Sequence, residues 1–274
     1  MKRKKFWITF SIVLASIFVV FLGTYFLTKL SSVSIEFRTR RAVAETRLED
    51  GILEKVKANG EFNYNGSVLF MNTKKSVEKI EVNNPYVKVE QVIRKFPNKL
   101  HVYISERIPK YRIRETLGSE NWIILDEDFK VLEKMTTAEV SSNHLDTATI
   151  EVKYFAAKAQ PGTFLDKPTE KQRLNAILSG VYGKTKDYFV VVAVDYETDS
   201  QTFTLTMKSS IDSVNYQNGC EIQIIGLDNL KNKANEAVHV YTDDEGKLQA
   251  TGVDLEQKVI IRISELGHCV ALNP

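Results

Sequence analysis

From Phe6 to Thr28, twenty-three consecutive residues carry no charge. A helix of that length rises ~1.5 Å per residue and reaches about 34 Å, enough to cross a hydrocarbon layer of ~30 Å. A helix is the form such a run must take in lipid, because its backbone groups then satisfy one another. Trp7 and Tyr25 stand near its two ends, where amphipathic rings anchor at headgroups. Lys2, Arg3, Lys4 and Lys5 precede the run, which predicts a cytoplasmic N-terminus and an extracytoplasmic remainder. A cleaved signal peptide is the competing reading. Its apolar core usually spans roughly 7–15 residues before an Ala-x-Ala site, and neither feature is present here. The expected layout is therefore a short tip (1–5) with no cytoplasmic domain, then a retained transmembrane helix (6–28).

Charge is unevenly spread along the chain. Residues 1–30 hold five basic side chains and no acid, residues 31–115 hold 17 basic and 11 acidic (net +6), and residues 116–274 hold 15 basic and 24 acidic (net −9). A basic segment next to a membrane can rest on anionic headgroups, each nearby cation contributing about 1 kcal/mol; a plain solvated surface is the alternative. Cys220 and Cys269 are too few for a disulfide framework and read as two separate thiols, with pairing as the alternative if the domain lies outside the cytoplasm.

Beyond the apolar span, Gly66–Pro109 is the most legible stretch. Thr73, Val77 and Ile80 recur at helical spacing, with Lys74, Lys75, Glu78 and Lys79 on the other face. Asn84-Pro85 ends that helix, since the residue before proline is pushed out of the α region. Val87, Val89, Val92 and Arg94 form one extended run and Leu100, Val102 and Ile104 a second, joined by a turn at Phe96-Pro-Asn-Lys99. The phase change between Val89 and Val92 predicts a bulge at Glu90 or Gln91. Strict alternation in the second run predicts one buried face and one outward face bearing His101, Tyr103 and Ser105. Upstream, Val33–Phe37 reads as a strand and Leu48–Val56 as a short helix.

The pattern Pro85-x-Val87, Val92, Arg94, Pro97, Leu100, Val102, Ile104, Glu106-Arg107-x-Pro109 resembles the POTRA domain of the bacterial division proteins FtsQ and DivIB. Gly66–Phe70 resembles the glycine-plus-aromatic opening of that domain's second helix. The sequence departs from the family at Glu90, where a small residue is usual, and after Phe37, where a turn glycine is missing. The resemblance implies an α+β protein: a membrane helix, a β-α-α-β-β POTRA-like domain (31–109), a β-rich mixed domain with flanking helices (110–263) and a tail (264–274).

In that second region Tyr111–Arg114, Trp122–Leu125 and Ile150–Phe155 read as strands. Asp126-Glu-Asp-Phe-Lys-Val-Leu132 resembles the family's Asp-x-x-Gly-x-Val turn, with Phe129 in the glycine position, so a turn of different shape is expected. Thr169–Gln172 has the spacing of a capping box behind Pro168, opening a helix with Leu174, Ile177, Leu178 and Val181 inward. Tyr188–Val194 reads as a central strand, Phe203–Met207 as a strand with one wet face, and Cys220–Ile225 as another. Leu227–Ala237 reads as a helix, Val238–Tyr241 as a strand, Thr242–Gly246 as a turn, and the remainder as a last pair of strands.

Gly252-Val-Asp-Leu255 resembles a family motif near the C-terminus, with Glu256 in place of its arginine. Between Gln257 and Ile263, Val259, Ile261 and Ile263 share one face and Lys258, Ile260 and Arg262 the other. In the resembled family the last strands receive a strand from a partner, and a free sheet edge can template one. Gln257, Lys258, Val259, Ile260, Ile261, Arg262 and Ile263 are therefore the expected docking strand, with Ile261→Lys or a proline at Val259 expected to weaken partner recovery in a folded protein. The alternative is an inner strand covered by the tail. The resemblance implies FtsL-type and FtsB- or DivIC-type partners, a septal location in the cytoplasmic membrane, and a scaffold role coupling septum formation to wall synthesis.

Enzyme readings find little support. Ser76-x-x-Lys79 matches one motif of penicillin-binding enzymes, but the companion Ser-Asp-Asn is missing and Lys184-Thr-Lys186 has lysine where glycine is required. His101, His144, His239 and His268 are scattered, and phosphate-loop, hydrolase-elbow and zinc-protease motifs are absent, so no cofactor or metal is expected. The acidic second region argues against nucleic acid. A POTRA-bearing transport accessory protein is a further alternative, weakened by the single copy beside an N-terminal anchor.

Overall fold

A computed structural model describes residues 2–39, 46–211, 214–242, 248 and 252–274, with side chains from Trp7 onward. The chain divides into two compact units, Met1–Arg107 and Ile108–Pro274.

The first unit opens with α1 (Lys2–Leu27), whose apolar part Trp7–Leu27 has a mean hydropathy of 2.3 and no buried residue. A helix this apolar on every side is stable in lipid, not in water. After it come β1 (Ser32–Thr39), α2 (Ile52–Asn59), α3 (Thr73–Asn83), β2 (Val87–Lys95) and β3 (Lys99–Glu106). This is the β-α-α-β-β order of the resembled domain. Its sheet runs β1-β3-β2, with β1 parallel and β2 antiparallel to the central strand. Val56, Val68, Ile80, Val87, Leu100, Val102 and Ile104 form its core.

The bulge falls where the broken alternation puts it: register shifts between Val89 and Gln91, leaving Glu90 as the extra residue. Its carboxylate accepts from Ser105 Oγ (2.6 Å), which accounts for an acid where the family has a small residue. Two expectations are corrected. The first helix begins at Ile52, not Leu48, because Gly51 takes a left-handed φ of 75°; Leu48 is buried from an irregular segment. The second face of β3 is not wet: His101 and Ser105 are buried. His101 sits in the middle strand, where Nδ1 meets Ser34 Oγ at 2.9 Å and the ring packs against that of Tyr103, tilted by 35° with centroids 4.5 Å apart. Its Nε2 lies 3.0 Å from Glu36 without meeting hydrogen-bond geometry.

The signature residues Glu106 and Arg107 fasten the chain ends of this unit. Glu106 accepts from Arg47 N (2.7 Å) and Thr46 Oγ1 (2.9 Å). Arg107 Nη2 donates to Glu81 (3.1 Å), whose other oxygen accepts from Val89 N (2.9 Å).

The second unit contains β4 (Tyr111–Arg114), β5 (Asn121–Leu125), β6 (Val131–Thr136), α4 (Thr137–Ser142), α5 (Leu145–Ala148), β7 (Ile150–Ala156), α6 (Pro168–Thr185), β8 (Val191–Glu197), β9 (Thr202–Met207), β10 (Ser210–Ile211), β11 (Val214–Asn215), β12 (Cys220–Ile225), α7 (Leu230–Tyr241), β13 (Val259–Ile263) and β14 (Cys269–Leu272). Nine strands make one sheet in the order β14-β13-β12-β9-β8-β7-β4-β5-β6. Helices α6 and α7 pack together over the core. They approach so closely at Gly180 that a Cβ there would stand 2.2 Å from Lys231 O.

Several local expectations change. Lys167, not Thr169, precedes α6 and makes no side-chain cap; Pro168 takes the first turn, where a missing N–H costs nothing. The expected strand Val238–Tyr241 is the last turn of α7, since Leu230, Ala234, Ala237, Val238 and Tyr241 are buried at helical spacing. Tyr188–Val190 is a short 3₁₀ turn and the strand starts at Val191. The Asp126 turn keeps a glycine-like shape: Phe129 itself adopts a φ of 63° while its ring is buried. Asp126 holds the turn by accepting from Asp128 N and Lys130 N, each at 2.8 Å. Residues 243–246 of the expected turn lie outside the described residues.

Candidate functional site

The C-terminal end of the nine-stranded sheet is built by a hairpin. After β13, Ser264–His268 reverse the chain: Gly267 takes a φ of 86°, its N–H donates to Ser264 O (3.0 Å), and Ser264 N donates to His268 O (2.9 Å). Strand β14 then pairs with β13 through Ile263↔Cys269, Arg262↔Val270, Ile261↔Ala271 and Ile260↔Leu272. The expected docking strand is therefore an inner strand, flanked by β12 and β14, and the rim of the sheet belongs to β14. The physical reason is the one that makes an edge dangerous: the tail satisfies the β13 donors and acceptors that would otherwise stay open.

Each expected docking residue has a defined place. Val259, Ile261 and Ile263 are fully buried in the core. Gln257 Nε2 donates to Asp254 (3.1 Å), and Lys258 Nζ lies 2.8 Å from Glu221. Arg262 Nε donates to Gln223 (3.0 Å), and Ile260 is half-buried beside Glu221 and Leu272. Lys258, Ile260 and Arg262 thus belong to the sheet face opposite the core, in rows such as Thr204, Gln223, Arg262, Val270.

The rim is held in place from its end. Asn273 Nδ2 donates to Asp254 O and Lys258 O, both at 2.9 Å, and its Oδ1 accepts from Asp254 N at the same distance. In an antiparallel ladder hydrogen-bonded and open pairs alternate. Counting from the Ser264–His268 bond, Arg262/Val270 and Ile260/Leu272 are bonded pairs. The N–H and C=O of Cys269 and Ala271 therefore point away from β13. Val270 is 50% exposed and Leu266, at the hairpin tip, 87%. Strand β14 lies in the segment expected as a tail (264–274), so the structure follows the alternative of an inner strand covered by that tail; its signal is an apolar run Cys269–Leu272 after Ile263 and five residues that include Gly267.

The remaining candidates are dispersed. Trp7 is exposed on α1, and Tyr25 OH donates to Asn65 O (3.0 Å). Ser76 is buried on α3, and Lys79 is held by Glu61 rather than by Ser76, so the pair does not form an activated nucleophile. Their ion pair keeps the Glu61 carboxyl below its ordinary value, mainly through the hydrogen bond from Lys79. Cys220 and Cys269 are not joined: one is buried at the start of β12, the other lies on the rim, and burial pushes the Cys220 thiol up.

One helix long and apolar enough to cross a membrane, a small α/β module fastened to it and a larger β domain edged by β14 make up the described residues. Residues 53–107 match the family model described as POTRA domain, FtsQ-type. The chain is also similar to proteins named cell division protein DivIB from Clostridium botulinum strains Hall and Loch Maree. Each is 24% identical over 200 residues, covering 73% of this chain and 70% of the relative. The family match covers the POTRA segment, and the likeness to DivIB proteins extends over most of the chain.

Proposed function

We propose that this protein is a non-enzymatic scaffold of the bacterial division machinery, anchored by α1 in the cytoplasmic membrane with its N-terminus inside and both units outside. The likeness to DivIB proteins supports the division role, and Lys2–Lys5 support the orientation. The mechanism is strand addition, in which a partner pairs its backbone with the rim of β14 while Gln257–Ile263 form the strand behind it. The partners are FtsL-type and FtsB- or DivIC-type proteins at the septum, and their capture helps couple septum formation to wall synthesis.

The observation that carries this reading is the backbone of Ala271, which points away from β13 on the edge strand of a sheet whose other strands at that end are paired. Co-purification from membranes, followed by mass spectrometry, tests it. Recovery of such partners with the native chain, and their loss with Ala271→Pro, is expected. Equal recovery with both chains defeats docking at the rim.

A further inference from the structure

The helix-proximal end of the first unit carries apolar side chains that the described residues leave open. Phe70 is 67% exposed and Leu69 38% exposed on the loop between Ser67 and Asn72; Phe96 is 68% exposed on the turn between β2 and β3. Both segments are bonded to the end of α1. Thr28 Oγ1 and Ser67 Oγ lie 2.6 Å apart, Val68 N donates to Thr28 O (2.8 Å), and Leu30 N donates to Gly66 O (3.0 Å). Ser31 N donates to Asn98 O (2.8 Å), which ties the second turn to the same place.

Depth comes from one contact. The Phe70 ring lies 6.1 Å from the Phe21 ring, centroid to centroid. Phe21 precedes Leu27, the last helical residue, by six positions, which is about 9 Å along the axis. With α1 spanning a bilayer, a ring packed on Phe21 lies below the headgroups, the depth at which interfacial apolar side chains settle. Exposed cations surround this end. Lys29 comes directly after the helix, Lys75 lines a cavity of about 360 Å³ beside Tyr25 and Phe70, and Lys95 and Lys99 face each other at the hairpin turn.

We propose that this end of the POTRA domain is a second membrane anchor: Leu69, Phe70 and Phe96 enter the outer leaflet, and Lys29, Lys75, Lys95 and Lys99 rest on anionic phospholipid headgroups. The occupant is the bilayer because the same helix that crosses it sets the depth of Phe70. The domain is thereby held at a fixed orientation to the membrane, not swung on a tether. This goes beyond partner docking and needs no partner, so it stands or falls separately from the rim of β14.

The test uses the full chain in nanodiscs of phosphatidylglycerol and phosphatidylcholine, with single nitroxide labels at Phe70→Cys, Phe96→Cys or Val82→Cys in a Cys269→Ser background. Cys220, 2% exposed, stays unlabelled, and Val82, 50% exposed near the far end of α3, reports the water-facing end. The expected result is that labels at 70 and 96 collide preferentially with oxygen, whereas the label at 82 collides preferentially with a water-soluble nickel complex. Pure phosphatidylcholine is expected to raise nickel access at 96. Nickel access at 70 and 96 equal to that at 82 in both lipids overturns the proposal. So does shielding of 70 and 96 from oxygen and nickel alike, which would mean that protein covers them.

Discussion

Arg107 Nη2 and Glu81 Oε2 lie 3.1 Å apart across the first unit, joining the residue after β3 to the last turn of α3. Only 4% of the Arg107 side chain and 15% of that of Glu81 is exposed. Breaking a buried pair by removing one partner leaves an uncompensated charge and costs about 3–5 kcal/mol. Arg107→Ala should therefore destabilise the POTRA domain by that amount, read as a lower urea midpoint for the first unit. Glu81→Gln should cost less, because its side-chain oxygen still accepts from Val89 N. Equal midpoints for Arg107→Ala and the native chain would show that the pair does not hold the domain.

Phe129 combines a left-handed backbone with a buried ring, 5.4 Å from Tyr111 and 6.1 Å from Phe155 between centroids. The backbone costs roughly 1–2 kcal/mol for a side chain with a Cβ. Losing a buried aromatic costs ~3–5 kcal/mol. Phe129→Gly should thus destabilise the second unit by about 2–4 kcal/mol. Phe129→Ala should cost about 1 kcal/mol more, since it loses the ring and keeps the strain. Urea unfolding decides the order; alanine equal to or better than glycine would refute the strain.

The Thr136–Glu139 capping box gives a pH dependence of known sign. Glu139 accepts from Thr136 N (2.7 Å) while Thr136 Oγ1 accepts from Glu139 N (3.4 Å). The backbone bond from Thr136, and then its hydroxyl, hold the Glu139 carboxyl below its ordinary value. A carboxyl lowered on folding contributes stability that is present above its unfolded value, about 4.3, and is lost as the pH falls through the folded value. Amide-exchange protection at the start of α4 should therefore fall in acid in the native chain. In Glu139→Gln, which still caps, that step should be missing. An unchanged acid step in the variant would assign it to another group.

Much of the fold is legible in the sequence because the residues concerned obey one local rule. The charge-free run before Lys29 admits a single structure in lipid, and the broken alternation at Val89 to Val92 marks the Glu90 bulge without any knowledge of β3. The misreadings share a different cause: tertiary packing chose among locally equivalent forms. Val238–Tyr241 is β-branched and aromatic enough for a strand, yet Tyr241 donates to Lys208 O (2.8 Å) from the end of a helix. His101 alternates as an outward residue, but a middle strand with long neighbours covers it. The rim lies one strand beyond its expected place because the alternation of Val259, Ile261 and Ile263 reports burial of a face. It does not report which side of the strand is paired.

That distinction sets the most discriminating experiment on docking. Proline is tolerated on an edge strand where its missing N–H faced solvent, and disrupts an inner strand where the N–H served the ladder. Ala271 is on the edge with its N–H outward. Val259 is fully buried, pairs with Cys220 on one side, and donates from its N–H to Gly219 O (3.1 Å). Ala271→Pro should leave the unfolding midpoint within about 1 kcal/mol of native and abolish partner recovery. Val259→Pro, and likewise Ile261→Lys with its charge in the core, should cost several kcal/mol and lose partners only because the domain unfolds. If Ala271→Pro retains its partners at native stability, strand addition at β14 is wrong. If Val259→Pro stays folded and loses them, the interface lies one strand further in, with the Asn273 clamp released.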